Sequence, residues 1–300
     1  MELFKTAFFM VALMLLFVIV GGMIGGTGGM VIAFCIALGM NFFSYFFSDK
    51  MILKRYNAQP IATSNPLYHT TKRLCQRANL TLPKLYIIND PVPNAFATGR
   101  NPANAAVALT TGLLNILNDD EIAAVIAHEL GHVRHYDILT GSIAAVFAGG
   151  IAILANFAQF GAMLGNNQNR QNPILMIALA IIMPLAATII QMSISRSREF
   201  EADRFSALIT SPNALANALL KLESSNAHAV VKNANEQTAH MFIISPFSGK
   251  NFANGLANLF RTHPTTQQRV ERLRGLNSQN KERQSYSNSS QNPAKRYFNS

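Results

Sequence analysis

Ala127-His128-Glu129-Leu130-Gly131-His132 decides how this chain is read. The pattern is H-E-x-x-H, set in a stretch of helical composition. Two imidazoles four residues apart share one helical face about one turn apart, so both can reach a single metal ion. The glutamate beside the first histidine reaches the same place, where it can take a proton from water as a general base. Upstream, Asn118 is a candidate N-cap, and Glu121 three residues on would complete a capping box. Asp119 and Asp120 put negative charge in the first turn, which the helix dipole favours. His135 adds a third imidazole on nearly the same face but is a poor ligand for the same ion. It lies about 10 Å further along the axis than His128, whereas Zn–N bonds are about 2 Å long. We read it as a polar residue near a membrane surface.

Two histidines leave a catalytic zinc short of its usual three protein ligands and one water. The best source of the third is Ser195-Arg196-Ser197-Arg198-Glu199-Phe200-Glu201-Ala202-Asp203. On a helix Glu199 and Asp203 share a face. Glu199 can coordinate, and Asp203 can accept a hydrogen bond from the far nitrogen of a ligating histidine. Glu201 points elsewhere. By pattern alone, an exposed helix of mixed charge fits the same residues.

Composition points to a membrane. Of 300 residues 49% are hydrophobic and only 13% charged, and the net charge is +10; a soluble domain carries roughly 25% charged residues. The basic excess suits cytoplasmic flanks and anionic lipid. A nucleic-acid partner is disfavoured because no basic run interleaved with aromatics occurs. Cys35 and Cys75 have neither metal-type spacing nor a disulfide pattern, which fits a reducing compartment.

Taken in order, Thr6 to Ile24 and Met30 to Phe47 are charge-free apolar runs, each suited to about 30 Å of hydrocarbon. Two runs in succession, with no cleavage site before a polar segment, speak against a signal peptide. The Gly21–Gly29 stretch reads as a tight turn; Gly21 and Gly25 also make a GxxxG pair that lets helices approach. Lys5 precedes the first run and Lys50, Lys54 and Arg55 follow the second, which places both ends in the cytoplasm. Next come a helical stretch (Leu67 to Ala78), a strand (Lys84 to Ile88), a short edge strand (Asn94 to Gly99) and another strand (Ala105 to Leu109). An edge strand beside the metal motif can hold a peptide by main-chain hydrogen bonds; strands serving only as core remain the alternative. Ile138 to Leu164 and Ile174 to Ile194 read as a second membrane hairpin, or else as a buried core hairpin. His69, His228 and His240 carry no spacing signal.

Taken together, Asn94-Ala95-Phe96-Ala97, the His128–His132 motif, Glu199 to Asp203, and Thr262-His263-Pro264 followed by Arg269 resemble the HtpX family of bacterial membrane proteases, related to the CAAX prenyl endopeptidases. The resemblance runs from the N-terminal hairpin to about Arg274. It implies an α+β architecture: four transmembrane helices in two hairpins, and a cytoplasmic gluzincin-like zinc protease domain with an active-site helix and a small β-sheet. The hairpins would occupy 1–48 and 139–194, the protease domain 49–138 and 195–276, and a polar disordered tail 277–300. It further implies one Zn²⁺ per chain held by His128, His132 and Glu199, with Glu129 catalytic and Asp203 supporting the site. Proteolytic quality control of membrane proteins in the bacterial inner membrane follows as the expected role. His263 is either an oxyanion stabiliser or a turn residue, and Arg269 a salt-bridge partner. The Asn94 to Ala97 edge is expected to bind membrane-protein or unfolded polypeptide substrates. A non-catalytic zinc scaffold or sensor is the rival function, disfavoured by Glu129 and by the lack of a fourth good ligand. A transporter is weaker still, since the apolar runs carry no ionisable group.

Overall fold

The computed structural model describes residues 2–143, 196–228 and 264–277. Helix α1 spans Glu2–Arg55 and is broken at Gly25 and Gly26, where Gly26 adopts φ 57°. The left-handed backbone there is open to glycine at little cost. The break folds two arms onto each other so closely that a Cβ at Gly21 or Gly29 would collide with the other's backbone. The turn read from these glycines is thus realised at Gly25 and Gly26, while the close approach pairs Gly21 with Gly29 and not with Gly25, which sits at the break with open space around it. Its second arm, Gly25–Arg55, contains an 18-residue stretch of mean hydropathy 1.9 and is the one helix among the described residues long and apolar enough to cross a membrane. It exposes Val31, Phe34, Leu38, Phe42 and Phe43 and ends on Lys54 and Arg55. The second expected hairpin lies outside the described residues apart from 139–143, as do His240, His263 and the tail beyond 277.

The sheet has four strands, β1 (Gln59–Pro60), β2 (Lys84–Ile88), β3 (Ala95–Gly99) and β4 (Ala105–Thr110), in the order β1-β2-β4-β3. β4 runs parallel to β2 and antiparallel to β3, and every residue of it is buried. A strand covered on both faces reads as a continuous apolar run, as Ala105 to Leu109 does. β3 takes the outer edge. Thr110 pins its start: the Asn94 N–H donates to Thr110 Oγ1 at 2.8 Å and the Thr110 N–H to the Asn94 carbonyl at 2.9 Å. Alternation along an antiparallel ladder then turns the main-chain groups of Ala95, Ala97 and Gly99 away from β4. Helix α2 (Pro66–Ala78), capped by Asn65, and the short α3 (Thr111–Ile116), capped by Thr110, flank the sheet.

Helix α4 (Asp119–Arg134) runs through the core, with Ala124 to Ala127 and Leu130 fully buried. Its start is the capping box read from sequence: Asn118 Oδ1 accepts from the Glu121 N–H at 2.9 Å and Glu121 Oε2 from the Asn118 N–H at 3.0 Å. Lys221 closes the Glu121 carboxylate at 2.8 Å, tying the cap to the Pro212–His228 helix. Against its other side lies the Arg196–Ile209 helix. Gly131 makes that contact close: a Cβ there would stand 3.0 Å from Ala202 Cα. Ser206 Oγ further donates to the Ala124 carbonyl at 2.7 Å. Small residues at 131 and 202 thus bring Glu199, one turn before Ala202, and Asp203, the residue after it, over the histidines. Gly131→Val forces these helices apart. The expected loss is about 1–3 kcal/mol of stability, the usual range for overpacking, together with weaker metal binding, measured by thermal unfolding and metal titration.

Candidate metal centre

Three elements converge at one point. α4 supplies His128, Glu129 and His132; the Arg196–Ile209 helix supplies Glu199 and Asp203; a helix over 266–277 supplies Arg269. This last helix begins at a second reciprocal cap, in which Gln268 N–H donates to Thr265 Oγ1 and Thr265 N–H to Gln268 Oε1, each at 3.2 Å. It grips the neighbouring helix twice, through Arg269 on Asp203 and through the Arg272 guanidinium 3.7 Å from the centre of the Phe200 ring. The spacing of three residues on both helices makes the two grips one-turn neighbours.

The ligand atoms cluster as a single ion requires. His128 Nε2 and His132 Nε2 are 3.2 Å apart, Glu199 Oε2 lies 3.7 Å from His128 Nε2, and Glu199 Oε1 lies 3.5 Å from His132 Nε2. Atoms about 2.0–2.1 Å from a tetrahedral ion stand about 3.3 Å from one another. Donor set and spacing therefore fit a small divalent cation, and two imidazoles with one carboxylate suit zinc. Among the described residues this is the cluster of three such groups close enough for shared ligation.

Each histidine is oriented from behind. His128 Nδ1 lies 3.0 Å from Asp203 Oδ1 and His132 Nδ1 lies 3.1 Å from Asp137 Oδ2. An ionised carboxylate only accepts, so each Nδ1 carries a proton and each Nε2 is the nitrogen that faces the cluster, able to ligate when it is itself unprotonated. Arg269, 2% exposed, binds Asp203 in a fork: Nε to Oδ2 at 2.8 Å and Nη2 to Oδ1 at 2.6 Å. Its Nη1 also lies 3.5 Å from Glu199 Oε2. Burial pushes the Asp203 pKa up, but the Arg269 charge together with the hydrogen bonds from His128 and Arg269 outweighs it and holds the carboxyl below its usual range. Burial holds His128 below its usual value, which keeps it neutral as a ligand must be. Burial also acts to lower His132, but the Asp137 hydrogen bond and the Glu199 and Glu129 charges raise it to about 9. In the metal-free protein His132 must therefore shed a proton to ligate, so metal uptake is expected to strengthen as pH rises toward that value.

Glu129 is buried beside the cluster without belonging to it. Burial raises its pKa to about 7, with Glu199 adding to the shift and His132 opposing it. Its carboxylate accepts from the Ala97 backbone N–H, one of the outward-facing groups of β3. Glu129 and the outward side of the edge strand are thus in direct contact. Asn94, Ala95 and Phe96 are buried, and Ala97 is half-buried.

Glu201 faces away, its side chain 52% exposed and paired with Arg198 at 2.9 Å. His135 is half-buried outside the ligand cluster. The residue missed from sequence is Asp137. It lies beyond the end of α4, past a turn at Tyr136 with φ 65°, so helical spacing could not link it to His132. A carboxylate five residues after an H-E-x-x-H histidine was the available signal.

Comparison with known proteins agrees with this geometry. Residues 62–277 match peptidase family M48, a span that includes all three ligand candidates. The chain is 59% identical to a protease HtpX homolog of Campylobacter concisus, over 92% of this chain and 97% of that protein. It is 60% identical to the homolog of Campylobacter curvus, over 94% and 100%. At 52%, the homolog of Sulfurovum sp. matches over 92% and 100%. Among solved structures, the crystal structure of S. mikatae Ste24p shares the fold with TM-score 0.50 at 19% identity; the match covers 81% of this chain and 57% of that one. Matched nearly end to end by these relatives, and by the family across both segments that carry the ligand candidates, the chain belongs to peptidase family M48 and is a metalloprotease.

Proposed function

We propose that this metalloprotease is a zinc endopeptidase of the bacterial inner membrane, with its active site on the cytoplasmic side and one Zn²⁺ per chain. Misfolded or damaged membrane proteins are its substrates. The observation that carries the reading is the mutual spacing of His128 Nε2, His132 Nε2 and the Glu199 carboxylate, 3.2–3.7 Å, with a buried carboxylate alongside. Membrane placement rests on the exposed apolar arm of α1 and on the basic residues that flank it. Two hairpins, hence four spans, follow from the apolar runs at 138–164 and 174–194.

His128, His132 and Glu199 would hold the ion, which when bound supplies a Lewis acid that polarises a scissile carbonyl and acidifies water. Glu129 takes the proton of the attacking water on its carboxylate and returns it to the leaving amine. A carboxyl raised toward neutrality is suited to both transfers. Asp203 fixes His128 and is itself fixed by Arg269. The Asn94 to Ala97 strand receives an extended substrate on its outward side, where pairing through main-chain groups sets little demand on sequence. His263 is assigned to the oxyanion on its place in the chain, six residues before Arg269.

The test is made on full-length protein in detergent. Elemental analysis is expected to give one zinc per chain, and chelation to abolish cleavage of an unfolded membrane-protein substrate, with zinc restoring it. Cleavage that survives complete metal removal refutes the proposal.

A further inference from the structure

We infer that Asp137 is a positioning residue for His132 and sets the affinity of the metal centre. The inference rests on His132 being a metal ligand, as proposed above. The Asp137 carboxylate joins the two ligand-bearing segments: Oδ2 meets His132 Nδ1 at 3.1 Å, and Oδ1 lies 3.5 Å from Arg198 Nε. Arg198 directly precedes Glu199 in the chain. One carboxylate therefore holds the second imidazole from behind and steadies the turn that carries the third ligand.

Asp137 can do this because its backbone is fixed. After the left-handed turn at Tyr136 the chain forms a helix over 137–143. This stretch is anchored on two sides. Thr140 Oγ1 lies 2.8 Å from Thr6 Oγ1 of α1, and Ser142 Oγ lies 2.8 Å from Thr98 Oγ1 of β3. Leu139 and Ile143, each 1% exposed, pack on Met10, Phe17, Met40 and Tyr45 of the hairpin. The N-terminal hairpin and the edge strand thus determine where the Asp137 carboxylate stands.

The arrangement is a looser form of what Asp203 and Arg269 do for His128: a carboxylate accepts from Nδ1–H with an arginine beside it, but Arg198 stands off at 3.5 Å as an ion pair where Arg269 forks at 2.6 and 2.8 Å. The His132 pair is the more open, with side-chain exposures of 16% for His132, 14% for Asp137 and 21% for Arg198. Its ring has room to turn, so an acceptor at Nδ1 matters for keeping the Nε2 lone pair on the cluster. A neutral imidazole without that acceptor places its proton on either nitrogen, and the tautomer protonated at Nε2 offers the ion no lone pair there.

Zinc affinity of the purified full-length protein, measured by competition with a chromophoric chelator, tests this. Asp137→Ala is expected to weaken binding at least about 10-fold, the lower end of the range for residues behind a ligand. Asp137→Asn, which keeps an acceptor and loses the charge, falls between it and wild type. The thermal midpoint of the metal-free protein, read in parallel, separates this ordering from a general loss of structure. Glu201→Ala, which removes another partner of Arg198, is the control and stays at wild-type affinity. If Asp137→Ala does not fold, Asp137→Asn and Arg198→Gln decide, each expected to weaken binding several-fold. Affinity within twofold of wild type in the folded variants overturns the role of Asp137. A His132→Ala protein with wild-type zinc affinity overturns instead the metal-site reading beneath it.

Discussion

Glu129→Gln is expected to keep its metal and lose peptide hydrolysis by about 10²–10⁴-fold, the usual contribution of a positioned general base. The substitution conserves volume in a site where Glu129 is 4% exposed. The Gln carbonyl oxygen still accepts from the Ala97 N–H, so β3 stays in place. His128, His132 and Glu199 are untouched, and zinc stoichiometry should remain that of wild type. Only the ability to take a proton is removed. The acid side of the pH profile follows the same group. A base works when ionised, so kcat/KM rises as pH climbs through the Glu129 pKa. Burial sets that pKa at about 7 in the metal-free protein. A cation beside the carboxylate favours its charged form, so in the loaded enzyme the rise falls below that value. Turnover of a contamination-controlled Glu129→Gln preparation at more than a tenth of the wild-type rate would remove Glu129 from the role of base.

Much of this site could be read in the sequence because helical spacing reports it. His128 and His132, and Glu199 and Asp203, are each one turn apart, and their helices have regular starts or close contacts that preserve the spacing. The Asn118 and Glu121 cap was legible for the same reason. The order of the sheet was not legible. Patterning marks Lys84 to Ile88 and Ala105 to Leu109 as strands without showing that β4 lies between β2 and β3. The two-residue β1 is too short to leave a period at all. What brings Glu199 over His128 is the fit of Gly131 against Ala202, a relation between distant positions that no local pattern encodes. Asp137 escaped for a related cause, since a single left-handed residue redirects the chain toward His132.

Arg269→Met is expected to destabilise the protein by about 3–5 kcal/mol, the cost of removing one member of a buried ion pair. The arginine is almost wholly enclosed and forks onto Asp203, itself 4% exposed, while also facing Glu199. Without it two buried carboxylates lose their counter-charge. In wild type the depressed Asp203 pKa contributes stability that is present above the unfolded-state value, about 3.9, and is lost as pH falls through the folded value. In the variant burial acts without the guanidinium, the Asp203 pKa rises, and the sign reverses. The gap between variant and wild type should therefore narrow on acidification, as Asp203 takes up a proton and ceases to be an unpaired charge. Removing both members tests whether charge or packing is at stake. Asp203→Leu combined with Arg269→Met should recover part of the stability lost by the single change, because apolar replacement of a buried pair costs little. It should not recover metal affinity, since His128 Nδ1 then has no acceptor. Unfolding midpoints of the metal-free proteins, set beside zinc titrations, separate the two effects. A single variant within about 1 kcal/mol of wild type, far below the usual cost, would mean that Arg269 does not hold this centre together.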